Sequence, residues 1–69
     1  MKWVLVSNTW QYVKNGIVLA RIWKRYDGFW QIAVDLPNPK LERHLAASLK
    51  HAKAISSTAV TVWFEDIAK

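Results

Sequence analysis

The sequence contains no cysteine. A disulfide framework, the usual support of a very small secreted domain, is therefore excluded. A Cys-built zinc site or iron–sulfur cluster is excluded too. Glycine is scarce: Gly16 and Gly28 are the only two. Each follows Asn or Asp in a turn signal, so neither belongs to a Gly-rich phosphate loop. Long apolar runs are missing as well. The longest near the N-terminus is Trp3-Val4-Leu5-Val6, against about 7–15 residues for a secretory core and about 20 for a membrane span. The expectation is a cytoplasmic protein with no membrane partner.

Acids are few. They are Asp27, Asp35, Glu42, Glu65 and Asp66, and no two are set by pattern to face each other across a cleft, as an acid–base pair must. His44 and His51 are the only histidines. On one helix they would stand about 10 Å apart along the axis, whereas two ligands of one metal need i, i+3 or i, i+4 spacing. Ser48 lies one turn from each, but its place on the wheel points it at the core. The reading is a non-enzymatic chain with no catalytic residue, no metal and no cofactor.

What is present suits one small domain over residues 1–69. A chain of 69 residues buries only about 60% of its unfolded surface, yet 52% of this one is hydrophobic, too apolar for disorder. Asn15-Gly16 and Asp27-Gly28 each separate apolar runs and suit two-residue type I′ hairpin turns. They predict strands over 9–14, 17–25 and 29–36. Residues 2–6 add a short strand or extend the first one across Ser7-Asn8. Tight turns set the register: Lys14 faces Ile17, Tyr12 faces Leu19 and Trp10 faces Arg21, while Arg25 faces Trp30 and Trp23 faces Ile32. The core face then holds Trp10, Tyr12, Ile17, Leu19, Arg21, Trp23, Trp30, Ile32, Val34 and Leu36. The other face holds Thr9, Gln11, Val13, Val18, Ala20, Ile22, Lys24, Gln31, Ala33 and Asp35.

Pro37-Asn38-Pro39 ends the sheet, with Asn38 as N-cap and Pro39 at the first helical position. A helix over 39–55 follows, its apolar stripe formed by Leu41, Leu45, Ser48, Leu49, Ala52 and Ile55. Ser56-Ser57 breaks that pattern. The β-branched and aromatic run 59–64 predicts a last strand, and the tail Ile67-Ala68-Lys69 is expected to fray. The fold class is α+β in the order β-β-β-α-β, an antiparallel sheet with one helix packed on one face.

Charge and aromatics point to binding. Ten Lys and Arg against five acids give a formal net charge of +5, and such a domain attracts polyanions. The five Trp exceed what one helix can cover, so some ring surface should stay open to stacked bases, a protein hot spot or a second copy. Arg21, opposite Trp10, is placed to lie over that indole. On the polar face, Gln11, Lys24, Arg25 and Gln31 could grip or read nucleic acid. On the helix, Arg43, Lys50 and Lys53 offer a second phosphate-contacting surface. Arg21 completes this set of candidate binding residues.

The segment Asp27-Gly28-Phe29-Trp30-Gln31-Ile32-Ala33-Val34, followed by Ser48-Leu49-Lys50-His51-Ala52-Lys53-Ala54, resembles two groups. One is the three-strand-plus-helix DNA-binding domains of integrase-arm type. The other is the class of tiny phage-encoded accessory proteins, anti-CRISPR inhibitors among them. The resemblance covers about half the chain and implies a mobile-element context, without assigning any residue a role. Two functions are open. One is a module acting on nucleic acid or on a host nucleic-acid-handling protein. The other is an inhibitor of host machinery that binds protein alone. Either could act as a homodimer paired through the 59–64 strand edge.

Overall fold

The computed structural model describes residues 1–68. Five antiparallel strands form one sheet in the order β1-β2-β3-β4-β5, and a single helix packs on one face. The strands are β1 (Lys2–Val6), β2 (Thr9–Lys14), β3 (Ile17–Lys24), β4 (Trp30–Val34) and β5 (Arg43–Ala46), and the helix is α1 (Leu49–Ile67). The fold class matches the sequence expectation. The order within it does not, because all five strands precede the helix.

The first two hairpins are what their turn residues dictate. Ser7 and Asn8 have φ of 47° and 64°, so β1 and β2 join through a two-residue turn with Val6 opposite Thr9. Asn15 and Gly16 have φ of 52° and 78°, and Lys14 pairs with Ile17 as expected. One step farther in, the register shifts. Tyr12 pairs with Ala20 rather than Leu19, and Trp10 with Ile22 rather than Arg21. Leu19 is the extra residue of a β-bulge, which lets neighbours Leu19 and Ala20 both turn toward the helix. Both are buried, beside Val60.

The third hairpin departs by one residue. Gly28 has φ of 89°, but Asp27 is not left-handed, so a type I′ turn is excluded. Instead Gly28 N–H donates to Arg25 O at 3.2 Å and Arg25 N–H donates to Phe29 O at 2.8 Å. This is a β-turn followed by a left-handed glycine, a three-residue loop of Tyr26-Asp27-Gly28. Lys24 therefore pairs with Trp30 and Ile22 with Ile32. A one-residue slip exchanges the faces of a strand. The expected faces of β2 and β4 stand, and so does the core place of Leu19, but β3 is reversed from Ala20 onward. Ala20, Ile22 and Lys24 face the helix side, and Arg21 and Trp23 face the open side. Ile17, assigned to the core from the sequence, is 64% exposed.

Residues 39–48 are not helical. Asn38 has φ of 49°, whereas an N-cap needs extended backbone. The chain turns back to lay β5 against β4, with Ile32 opposite His44 and Ala33 opposite Arg43. The N-cap is Ser48, at φ −142° and ψ 157°, whose side chain accepts from His51 N–H at 3.2 Å. The run 59–64 is helical, not a strand, so the proposed dimer edge through it does not exist. Helix formation wins there because Val60 continues the buried seam Ala52-Ser56-Val60 at four-residue spacing. Ser56 is tolerated in that seam because its hydroxyl donates to Ala52 O at 2.8 Å. The helix continues through Ile67, and Ala68 N–H donates to Phe64 O at 3.2 Å. The expected fraying at Ile67 and Ala68 is thus replaced by a closed last turn. Lys69 lies outside the described residues.

The wholly buried side chains are modest in size: Ile22, Ile32, Val60 and Ser56 are the largest. None of the five Trp is fully buried. Trp3, Trp10 and Trp30 pack against the rim of the core on the helix side. Among the described residues, no helix is long and apolar enough to cross a membrane. Two substitutions test this packing in urea unfolding followed by tryptophan emission. Ser48→Ala should cost about 1 kcal/mol as a lost N-cap. Ile22→Ala should cost about 2–5 kcal/mol as a core cavity, whereas an exposed β3 residue of the expected register would cost almost nothing.

Candidate nucleic-acid interface

The sheet register divides the eight residues singled out from the sequence into two groups. Gln11, Arg21, Ala33 and Arg43 stand opposite one another in a row across β2 to β5, and Trp23 faces Gln31 in the next row. Alternation along each strand puts all of these on the open face, away from α1. Lys24 is on the helix side, 6.0 Å from the Trp30 ring centroid. Lys50 and Lys53 are on the first two turns of α1, while Arg43, expected beside them on a helix, is in β5. Arg25 follows β3 in the loop to β4.

On the open face Arg21 and Arg25 are held by acids, while Arg43 has no acidic partner among the described residues. Arg21 donates two hydrogen bonds to the Asp35 carboxylate, at 2.6 and 2.9 Å. That carboxylate raises the Arg21 pKa above its ordinary value, chiefly through the hydrogen bonds, against a smaller opposing effect of burial. The Arg21 guanidinium sits 5.7 Å from the Trp23 ring, not over Trp10. Arg25 pairs with Asp27 at 3.2 Å and donates to Gln31 Oε1 at 3.1 Å. The Gln31 amide in turn donates to His44 O and Ile32 O, each at 3.1 Å. Both ends of Gln31 are therefore engaged within the protein, and its amide is not free to read a base edge.

The helix side is organised differently. α1 lies over β3, β4 and β5, and the flank over β1 and β2 is covered by rings instead. Trp3 stacks on Tyr12 with centroids 4.6 Å apart, and Ser57 donates to the Tyr12 hydroxyl at 3.1 Å. Lys53 Nζ lies 3.7 Å from the Trp10 centroid and 5.8 Å from that of Trp3. Lys14 Nζ lies 4.9 Å from the Phe64 ring. Among the described residues the ion pairs are Arg21–Asp35, Arg25–Asp27 and Lys40–Asp66, so Lys2, Lys14, Lys24, Arg43, Lys50 and Lys53 have no acidic partner there.

Topology gathers most of these groups at one end of the molecule. The β1–β2 turn, the β3–β4 loop and the start of α1 share that end, as the strand directions require. Between them lies a shallow cleft of about 520 Å³ lined by Leu5, Asn8, Trp10, Lys24, Arg25, Tyr26 and Trp30. Tyr26 is 98% exposed. The sequence reading passed over Tyr26 and Lys14; the signal for Tyr26 was its place beside Asp27-Gly28, at a loop tip. His44 is in β5 and His51 in α1, both exposed, so the spacing of two histidines on one helix does not apply. No group of three or more His, Asp or Glu is placed to hold a metal among the described residues.

Comparison with known proteins gives no match to a family model, a curated protein or a solved structure. The arrangement can be tested on its own terms. A double-mutant cycle of Arg21→Ala and Asp35→Ala should show coupling of about 1 kcal/mol, because the bidentate geometry is good but both groups are partly solvated. The same variants should leave the helix-side tryptophan emission unchanged.

Proposed function

We propose that this chain is a small non-enzymatic, cytoplasmic binding module of phage-accessory type, acting on nucleic acid or on a nucleic-acid-handling complex through its helix-side end. One observation carries the reading: Lys24, Lys50 and Lys53 gather at that end without an acidic partner, and Lys24 and Lys53, like Lys14 at the other end, rest on aromatic rings. A contact of an exposed ammonium with a ring is worth about 0.5–1 kcal/mol and leaves the charge intact. Lys14, Lys24 and Lys53 can exchange it for a phosphate at small cost. Arg21 would first have to leave a bidentate carboxylate, which is a stronger hold. Most of the available positive charge is therefore on the aromatic side, with Lys50 beside it on α1, and Arg43 is left on the open face.

Titration with single- and double-stranded DNA and RNA, followed by tryptophan fluorescence, tests this. With three or four phosphate contacts to a single strand, affinity should fall about 20- to 50-fold between 50 and 200 mM salt. Lys24→Glu and Lys50→Glu should each weaken binding several-fold. Absence of binding at 50 mM salt, or affinity untouched by these charge reversals, would sink the proposal.

The open sheet face favours a second reading, a protein-binding inhibitor of host machinery. Val6 and Leu45 are 45% and 42% exposed there, Trp23 is half-buried between them, and no element covers them. This reading expects a stoichiometric, salt-tolerant protein complex that Trp23→Asp abolishes, and no affinity for nucleic acid.

A further inference from the structure

We propose that the cleft between Trp10, Trp30 and Tyr26 takes an unpaired base, so that the ligand is a single-stranded nucleic acid and not a duplex. The inference rests on the nucleic-acid reading above and names which form of the ligand the site accepts.

Most of the groups that could read a duplex from the sheet are already engaged, and Gln11 and Arg43 are the two left without a partner among the described residues. A sheet in the major groove needs free amide and guanidinium groups on its exposed face. Here Gln31 is bonded at both ends within the protein, Arg21 is held by Asp35, and Arg25 is shared between Asp27 and Gln31. A helix in the groove needs polar, basic side chains along its outer face. Beyond Lys50, the exposed positions of α1 are His51, Ala54, Thr58, Thr61, Glu65 and Ile67, which add no further Lys or Arg.

The cleft offers what an unpaired nucleotide needs. Trp10 on β2 and Trp30 on β4 stand on either side of β3, with strand traces about 10 Å apart. That separation admits one planar ring beside the Lys24 stem. Asn8 brings an amide that donates and accepts, which suits the edge of a base. Lys24 places a cation at the mouth, where the phosphate would lie, beside an Arg25 already held by Asp27 and Gln31. The volume of about 520 Å³ falls within the range of small-ligand sites, roughly 300–1,000 Å³. One face of Trp10 is already under Lys53 at 3.7 Å, so the stacking surface left for the base is that of Trp30 and Tyr26.

Tyr26 supplies the second observation. Its loop is fully tied: Arg25 N–H to Phe29 O, Gly28 N–H to Arg25 O, Phe29 N–H to the Asp27 carboxylate at 3.1 Å, and Asp27 to the Arg25 guanidinium. Yet the ring at its tip is 98% exposed and packs on nothing. A rigid loop that holds a bare aromatic ring over a cationic cleft is preorganised for stacking, and stacking is open only to a base outside a duplex.

The test uses the full chain and three probes at 50 mM salt: a deoxythymidine 15-mer, its duplex with deoxyadenosine, and a 15-mer of abasic sites. The 15-mer should bind at least tenfold tighter than either of the others. Tyr26→Ala should weaken 15-mer binding by about 5- to 150-fold, the range for one lost stacking partner. Tyr26→Phe should restore it. Tyr26 touches no core residue, so folding is not at stake in these variants. Equal affinity for the duplex or the abasic strand, or an unchanged Tyr26→Ala, would overturn this inference while leaving salt-dependent binding in place. Failure of all three probes to bind would overturn the nucleic-acid reading itself.

Discussion

Ile22 must face the helix, and most of the molecule follows from that. It is wholly buried at the centre of the middle strand, in the same cluster as Ile32, Val34, Ala46 and Ala52. Two regular two-residue hairpins would have turned it to the other side. The bulge at Leu19 corrects the phase of β3 against β2, and the left-handed Gly28 corrects it against β4. Each irregularity costs one unpaired position in the ladder. Each is repaid by burial, since Ala20 and Ile22 join Leu19 in the core where the regular register would have put Arg21 and Trp23. The same phase lifts Lys24 to the helix side next to Trp30, so the cleft exists because of the packing demand of an isoleucine.

The helix sits close because its seam is small. Ala52, Ser56 and Val60 are all at zero exposure, and none is bulky. A chain this short cannot close a deep core, and a tight aliphatic centre ringed by half-buried indoles is its solution. Trp3, Trp10 and Trp30 contribute apolar area at the rim and keep part of their faces at the surface. The rings that complete the core are thereby the rings that border the cleft and its cations. Stability and the proposed binding draw on the same side chains, so the exposed Tyr26, which belongs only to the surface, separates the two most cleanly.

Much of this was legible in the residues, and what was not has definite causes. Asn15-Gly16 announced its turn because both residues can hold positive φ, and both do. Asp27-Gly28 carries the same signal but serves a loop one residue longer, with only the glycine left-handed; sequence does not separate those two uses. Pro37-Asn38-Pro39 imitates a helix start, yet Asn38 adopts a left-handed turn, and the weaker-looking Ser48 caps the helix. Val60-Thr61-Val62 reads as strand by propensity and is helical because Val60 fits the seam, a tertiary override of local preference. Among the candidate binding residues, charge alone marked Lys24, Arg25, Lys50 and Lys53. That Gln11, Arg21, Gln31 and Arg43 lie on the opposite face depends on the phase of β3 and on the existence of β5. Neither could be had from composition or spacing.

The two faces also differ in how they hold their cations, and the difference has a chemical logic. On the open face guanidiniums are met by carboxylates and an amide: Arg21 by Asp35, Arg25 by Asp27 and Gln31. On the helix side ammoniums are met by rings: Lys14 by Phe64, Lys24 by Trp30, Lys53 by Trp10 and Trp3. A planar guanidinium matches a carboxylate in two bonds and is fixed by it, whereas an ammonium over a ring keeps its charge, its donors and much of its hydration. With five acids in the chain, neutralising both sides was not open to this sequence. Asp35 and Asp27 hold Arg21 and Arg25, so apart from Arg43 most of the uncompensated positive charge is on the face that also carries the unburied rings. Charge and stacking surface coincide because one strand phase sorts both, and that coincidence, more than the net charge, is what makes this end of the molecule suited to an anionic ligand with flat aromatic parts.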